Sequence, residues 1–139
     1  MLENVPPTAT GRMFRDHIRM ILEKDIDGLL AQYAEDAVLI SSFDRTPKVF
    51  RGHDELRRHF DGILGIEGLR DEVGLWGEFD GAETGHAGGL AGLMITEGIE
   101  MTAGGATARM RFADSWVLRD GRIVIHFAGM VQYPDGALS

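Results

Sequence analysis

The hydrophobic period changes near the middle of this chain, and that change restricts the folds open to it. Up to about residue 64, apolar residues recur at the three- and four-residue spacing of a helical face, as Phe14, Ile18 and Ile21 do. From about residue 70 they alternate with a period of 2, as in strands. Helices followed by long strands predict an α+β domain, in which helices cover one face of an antiparallel sheet.

The same periods and the Gly-rich breaks predict the individual elements. Three helices are expected, at 11–23, 26–34 and 52–64, and Thr10 is the expected N-cap of the first. Six strands are expected, at 37–42, 46–52, 70–79, 89–101, 106–118 and 122–133. One domain spans 1–139 in this interpretation, with a loose N-terminal arm at 1–9 and a C-terminal tail at 134–139.

Composition excludes several classes of function. A net charge of −8 argues against binding to nucleic acid or to anionic membranes, because both need a basic surface. The chain has no cysteine, and its five histidines lack the spacing of a metal site, so neither a metal nor another cofactor is predicted. It also lacks a secretory signal and any apolar run of about 20 residues, so a cytoplasmic protein is expected.

The strand "ARMRFADSWVL" contains the most informative polar residue. A period of 2 places Asp114 on the face that carries Phe112 and Trp116. A carboxylate on an apolar face is costly unless it is paired or protonated. Asp114 is therefore a candidate acid or base, and the structural alternatives are a bond to a backbone amide or a break in the pleat at a bulge.

The last strand, "RIVIHFAGMVQ", is apolar on both faces. Helices can cover only one face of the sheet, so the other needs a second cover, and another copy of this chain is the expected one. The sequence thus predicts a homodimer joined through the outer sheet face. The expected interface residues are Ile123, Ile125, Phe127 and Val131.

The turn before this strand decides whether His126 lies beside Asp114, and the sequence leaves two alternatives open. A two-residue turn at Asp120 and Gly121 puts His126 on the opposite face. A three-residue loop, with Gly121 in a bulge, puts both side chains on one face.

Three further polar positions are interpreted from helical spacing. His17 lies on the apolar stripe of the first helix and Tyr33 ends the second, so both are expected in or near the core, each with a hydrogen-bond partner. Tyr33 is also expected to form one wall of a pocket. The run Arg57-Arg58-His59 is predicted to be a solvated helix face.

Three stretches resemble the SnoaL-like, or nuclear transport factor two-like, superfamily: "DIDGLLAQYAEDAVL", "RGHDELRRHF" and "ADSWVLRDGRIVIHF". Together they span about residues 11–132 in the order that the family has. The resemblance implies a cone, in which a strongly curved antiparallel sheet wraps around three N-terminal helices and leaves one deep, mostly apolar pocket. The fold carries isomerases, cyclases, dehydratases and non-catalytic binding domains.

The resemblance also implies roles for single residues. The protonated oxyanion-hole Asp of ketosteroid isomerases falls on Asp114, but their oxyanion-hole Tyr falls on His17 and their general-base Asp on Ser41. SnoaL-type cyclases, which also use an Asp on this strand, are more similar. Pocket positions on the last strand of these families fall on His126, Ala128 and Met130, which favours the bulged turn.

The predicted function is proton transfer by Asp114, with His126 and His17 as catalytic partners, on a small, largely apolar molecule with a carbonyl group. Cyclisation, isomerisation and dehydration are the expected reaction classes. The alternative is a non-catalytic ligand-binding or structural dimer module of the same fold, which Ser41 favours. The expected pocket-lining residues are Tyr33, Ser41, Phe60, Trp76, Met110, Phe112, Trp116, Ala128 and Met130.

Overall fold

The computed structural model of the chain describes residues 5, 7–42, 46–64, 73–75, 80–83, 90–103 and 106–132. Only the backbone is described within 73–75, 80–83, 95–103, 106–112 and 130–132. The predicted tail at 134–139 and the predicted pocket residue Trp76 therefore lie outside the described residues.

Three helices form the first part of the chain, as the apolar period predicts: α1 (Ala9–Glu23), α2 (Ile26–Ala31) and α3 (Gly52–Leu64). The side chain of Thr8, not the predicted Thr10, caps α1 by accepting from the amide of Gly11 at 3.1 Å. Asp25 caps α2 by accepting from the amide of Gly28 at 2.9 Å. None of the described helices is long and apolar enough to cross a membrane.

Seven strands lie in one sheet of the described chain: β1 (Tyr33–Ser41), β2 (Lys48–Arg51), β3 (Val73–Leu75), β4 (Asp80–Glu83), β5 (Leu90–Ala103), β6 (Ala106–Arg119) and β7 (Arg122–Gln132). Their order is β2-β1-β7-β6-β5-β3, and β4 also pairs with β5. All pairs are antiparallel except β1 and β7, which run parallel. A parallel pair is possible here because β1 and β7 are far apart in the sequence. A short hairpin between them would force them to be antiparallel.

The helices and the curved sheet share one hydrophobic core. Each layer contributes side chains that are almost completely buried, including Phe14, Leu29, Leu39, Leu56 and Trp116. Burying a large apolar side chain stabilises a fold by about 1.5–3 kcal/mol relative to leaving it exposed. The predicted α+β cone, with three N-terminal helices packed on one side of the sheet, is confirmed.

Two local predictions differ from the structure. Tyr33 begins β1 instead of ending α2, because α2 stops at Ala31 and the carbonyl of Gln32 accepts from the amide of Ile123 at 2.9 Å. Val5, in the predicted loose arm, is buried in the core, and its carbonyl accepts from the guanidinium of Arg15 at 2.9 Å.

Candidate active site

The hairpin of β6 and β7 places Asp114 and His126 on the same face of the sheet. Its turn has two residues, Asp120 and Gly121, and both adopt positive φ angles, of 51° and 79°. The register then shifts, since Leu118 pairs with Ile123 whereas Val117 pairs with Ile125. The extra residue, Val124, is a β-bulge that reverses the alternation of side chains beyond it.

The three-residue loop with Gly121 in a bulge, which the resemblance favours, is not formed, although its placement of His126 beside Asp114 is right. The turn is the short one, which alone would place His126 on the face opposite Asp114. Because of the bulge in β7, His126 instead lies directly across from Trp116, and Ala128 lies across from Asp114. Ile123 lies between the turn and the bulge, across from the buried Leu118, and it is itself fully buried in the core, so its predicted place in the outer interface is wrong.

A chain of two short hydrogen bonds joins Tyr33, His126 and Asp114. The His126 Nε2 atom lies 2.6 Å from Asp114 Oδ1, and the His126 Nδ1 atom lies 2.7 Å from the Tyr33 hydroxyl. The side chains of His126 and Asp114 are only 4% and 14% exposed, respectively. Both imidazole nitrogens of His126 are therefore engaged, and Asp114 is the more accessible end of the pair.

The direction of the hydrogen bonds follows from the chemistry of Tyr33. Burial, and then the negative charge of Asp114, raise the pKa of the Tyr33 phenol well above its ordinary value of 10.0. The hydroxyl thus keeps its proton and donates to His126 Nδ1, which leaves Nε2 to donate to the carboxylate of Asp114. A buried imidazole held at both nitrogens in this way has a fixed tautomer and a fixed ring orientation.

His17 comes from α1 and approaches the same cluster from the helical side. Its Nδ1 atom lies 2.9 Å from Gln32 Oε1, while the Gln32 amide nitrogen donates to the carbonyl of Met13 at 2.8 Å. Burial is the main cause that lowers the pKa of His17 to about 4, and the nearby His126 lowers it further. At neutral pH His17 is therefore uncharged, with its proton on Nδ1.

Aromatic rings enclose these polar groups. The ring of Trp116 lies 5.0 Å from that of His17 and 5.7 Å from that of His126, measured between centroids. Phe60, on α3, lies 5.8 Å from Tyr33 and 6.1 Å from His17. The cluster thus combines four hydrogen-bonding side chains, those of Tyr33, His126, Asp114 and His17, with a largely apolar surround.

Two residues that the sequence predicts to line a pocket lie side by side in the sheet. Ser41 and Ala128 are both buried and pair in register between β1 and β7, on the face that carries His126. Three other predicted pocket residues lie in described strands, but their side chains are outside the described part: Met110, Phe112 and Met130. Their placement as pocket residues stays a prediction.

His59 corrects one prediction, and Gln32 is a residue that the sequence pattern misses. His59 is not on a solvated face: it is buried, with its ring 4.6 Å from that of Phe50 and 5.2 Å from that of Phe60. Burial, and then His126, lower its pKa to about 4. Gln32 positions His17 through a hydrogen bond. In the sequence, the one feature that could have indicated this role is an amide side chain next to Tyr33, at the end of α2.

Two other features of the described residues are separate from this cluster. A surface groove of about 590 Å³ is lined mainly by charged residues, and an exposed ion pair between Arg119 and Asp36, 3.1 Å long, lies along it. Exposed pairs of this kind contribute little to stability. No group of three or more His, Asp or Glu side chains in the described part is arranged to hold a metal ion.

Comparison with known proteins identifies the family of this chain and solved structures with a similar fold. A family model for the SnoaL-like domain matches residues 14–126. A ketosteroid isomerase-like protein from Erwinia carotovora atroseptica SCRI1043 superposes with a TM-score of 0.59 at 17% identity, over 84% of this chain and 89% of that one. No curated protein matches the sequence at a significant level.

Two further solved structures are similar in fold. TerC, co-crystallised with polyporic acid, has a TM-score of 0.61 and 18% identity, over 87% of this chain and 90% of its own. The β subunit of the benzoate 1,2-dioxygenase from Burkholderia mallei ATCC 23344 has a TM-score of 0.69 and 11% identity, over 92% of each chain. At these identities the similarity concerns the fold alone.

Proposed function

This chain belongs to the SnoaL-like domain family, and we propose that it is an acid–base enzyme acting on a small, largely apolar molecule with a carbonyl group. The observation that carries the proposal is the buried series of hydrogen bonds from Tyr33 through His126 to Asp114. Polar groups linked in this way inside an apolar core are costly to bury, and perturbed, paired groups are typical of functional sites.

Asp114 is the group that exchanges a proton with the substrate. His126 cannot do so directly, because Tyr33 and Asp114 occupy both of its nitrogens. In the proposed step the carboxylate removes a proton from the carbon next to the carbonyl, and the electron pair of the broken C–H bond moves towards the carbonyl oxygen. Return of the proton to another carbon gives an isomer. Attack of the enolate carbon on a second carbonyl of the same molecule gives a ring, and the alkoxide formed from that carbonyl takes the proton back from Asp114.

His126 and Tyr33 act by positioning and by sharing charge. The Nε2–H group of His126 stabilises the carboxylate of Asp114 before the step, and the Tyr33 hydroxyl holds the imidazole in the tautomer that this requires. The neutral, buried His17 lies 5.9 Å from His126 between ring centroids, so it adds no positive charge to the site near pH 7. A positioned acid–base group of this kind contributes about 10²–10⁴-fold in rate.

The proposed assembly is a homodimer through the outer face of the sheet. Register places Val49, Ile40, Phe127, Ser115 and Met94 in one row across five strands. Three of these are large apolar side chains that are roughly half exposed, at 45% for Val49, 48% for Phe127 and 55% for Met94. A mostly apolar, partly exposed row on a face without helices favours a partner with the same surface.

A ligand-binding module without catalysis is the second candidate, and Ser41 is the observation in its favour. This buried serine occupies the position at which the resemblance expects a general-base Asp, and its hydroxyl does not ionise near pH 7. In that case the hydrogen-bonded side chains of Tyr33, His126 and Asp114 would orient a ligand without removing a proton from it. A cytoplasmic location, expected from the composition, also stays part of the proposal.

Deuterium exchange tests the enzyme proposal without knowledge of the product. A panel of small cyclic and aromatic ketones is incubated with the protein in D₂O, and loss of the proton next to the carbonyl is followed by NMR. We expect catalysed exchange for at least one ketone, and its loss in Asp114→Asn. Asp120→Asn, at the exposed turn, is the matched control and should keep the wild-type rate.

The outcomes separate the two candidates. Exchange that persists in Asp114→Asn contradicts the role given to this carboxylate. Saturable binding of a ketone with no exchange in the wild-type protein supports the binding module instead.

A further inference from the structure

The indole N–H of Trp116 is a buried hydrogen-bond donor whose acceptor is not among the described residues. The side chain is 2% exposed, and its Nε1 atom has no partner in the described part of the chain. Leaving a buried donor unpaired costs about 1–3 kcal/mol, so native structures rarely leave one without an acceptor from the protein, from ordered water or from a bound ligand.

His17 offers a hydrogen-bond acceptor next to the N–H donor of Trp116. Its Nδ1–H donates to Gln32, whose own amide nitrogen is directed to the carbonyl of Met13, so Nε2 of the neutral ring carries a lone pair. Gln32 is the one hydrogen-bond partner of this ring among the described residues. The ring is 3% exposed and meets Trp116 edge to face at a centroid distance of 5.0 Å.

We propose that Trp116 Nε1 and His17 Nε2 form a binding subsite for a hydroxyl group of the substrate. A hydroxyl is the small group that satisfies both side chains, because its oxygen accepts from the indole and its proton is donated to the imidazole. A carbonyl or ether oxygen would satisfy the donor only, and an alkyl group neither.

This inference rests on the proposed function, since it adds a second recognition point to the same site. Trp116 and Asp114 are two residues apart on β6 and project from the same face of the sheet. A hydroxyl bound by Trp116 and His17 is therefore on the face of the sheet that carries the carboxylate that exchanges the proton. The substrate class becomes a small, largely apolar, hydroxyl-bearing carbonyl compound, such as a phenolic or enolic ketone.

Three probes of similar size separate the two hydrogen bonds: phenol, which donates and accepts, anisole, which accepts, and toluene, which does neither. Binding is followed through the indole N–H signals in ¹H–¹⁵N NMR spectra of the whole protein. The chain has two tryptophans, so two such signals are expected, and Trp116→Phe identifies the relevant one.

We expect phenol to bind most tightly and toluene least, with each hydrogen bond changing the affinity roughly 2- to 10-fold. Phenol and anisole should move the Trp116 indole proton downfield, and toluene should not. Trp116→Phe should remove the preference for anisole over toluene. His17→Phe should remove the preference for phenol over anisole and keep that for anisole over toluene.

Asp114→Asn separates this inference from the proposed function. If the subsite exists, this variant keeps the order of affinities and the indole shift, whether or not the wild-type protein exchanges ketone protons. Equal affinities for phenol and toluene in the wild-type protein, or an indole signal that saturating phenol does not move, would overturn the inference.

Discussion

Two buried histidines should make the fold sensitive to mild acid. His17 and His59 both have a pKa of about 4 in the folded protein, well below their ordinary value of 6.5. For both, burial is the largest cause, and the neighbouring His126 is the second. Asp114 and Gln32 act in the opposite direction on His17 but do not offset the loss of hydration.

The sign of the effect follows from where each state binds its proton. As the pH falls below 6.5, these histidines take up protons in the unfolded chain, whereas in the folded protein they stay neutral until about pH 4. The unfolded state therefore holds more protons in this window, and stability falls as the pH falls. For one such histidine the loss is about 2 kcal/mol between pH 7 and pH 5, and roughly 3 kcal/mol when the titration is complete.

Urea unfolding of His59→Leu, followed by circular dichroism at pH 7, 6 and 5, tests this reasoning. The free energy of unfolding of the wild-type protein should fall more steeply with pH than that of His59→Leu, by about 2 kcal/mol over this interval. Leu56→Met, a buried apolar change on the same helix, is the matched control and should shift stability equally at every pH. Parallel curves for wild type and His59→Leu would refute the argument.

Three other predictions concern the site, the sheet and the assembly. Tyr33→Phe should remove a tyrosine that resists ionisation above pH 10 while the protein stays folded, as absorbance at 295 nm would show, because burial and Asp114 keep the Tyr33 phenol protonated; an unchanged titration curve contradicts this. Gly129→Ala should destabilise by about 1 kcal/mol, since a Cβ there would clash with Ser42 Oγ, and Ser42→Gly in the same chain should restore stability in urea unfolding. Phe127→Glu should convert the proposed dimer to monomer in light scattering, whereas Arg51→Glu, also exposed but polar, should not; a dimer that survives Phe127→Glu places the interface elsewhere.

The sequence predicts the layers of the fold because periodicity depends on which side of an element is buried. The stripe of α1 and the alternation of β6 each identify a core face without reference to the rest of the chain, and Asp114 is placed correctly for that reason. The resemblance to the SnoaL-like superfamily adds the order of the elements and the expectation of a cone.

The register of the last strand could not be predicted from its own residues. β7 is apolar on both faces, so no alternation marks the inward side, and the turn at Asp120 and Gly121 alone gives the wrong face. The bulge at Val124 lets both Ile123 and His126 face the helices, which depends on packing across the whole sheet. The prediction for His59 is wrong for a similar reason. A polar residue in a run of charged ones is expected on a solvated helix face, whereas the rings of Phe50 and Phe60 cover His59 in the structure.

The bulge at Val124 lets His126 bond to both Asp114 and Tyr33, and the tautomer of His126 reports on this arrangement. Long-range ¹H–¹⁵N NMR spectra near pH 7, with His126→Gln used for assignment, report which imidazole nitrogen carries the proton. We predict a proton on Nε2 that is protected from solvent exchange, is shifted downfield by the 2.6 Å contact with Asp114 Oδ1, and changes in Asp114→Asn. A proton on Nδ1 alone, or a signal that Asp114→Asn does not affect, would contradict it.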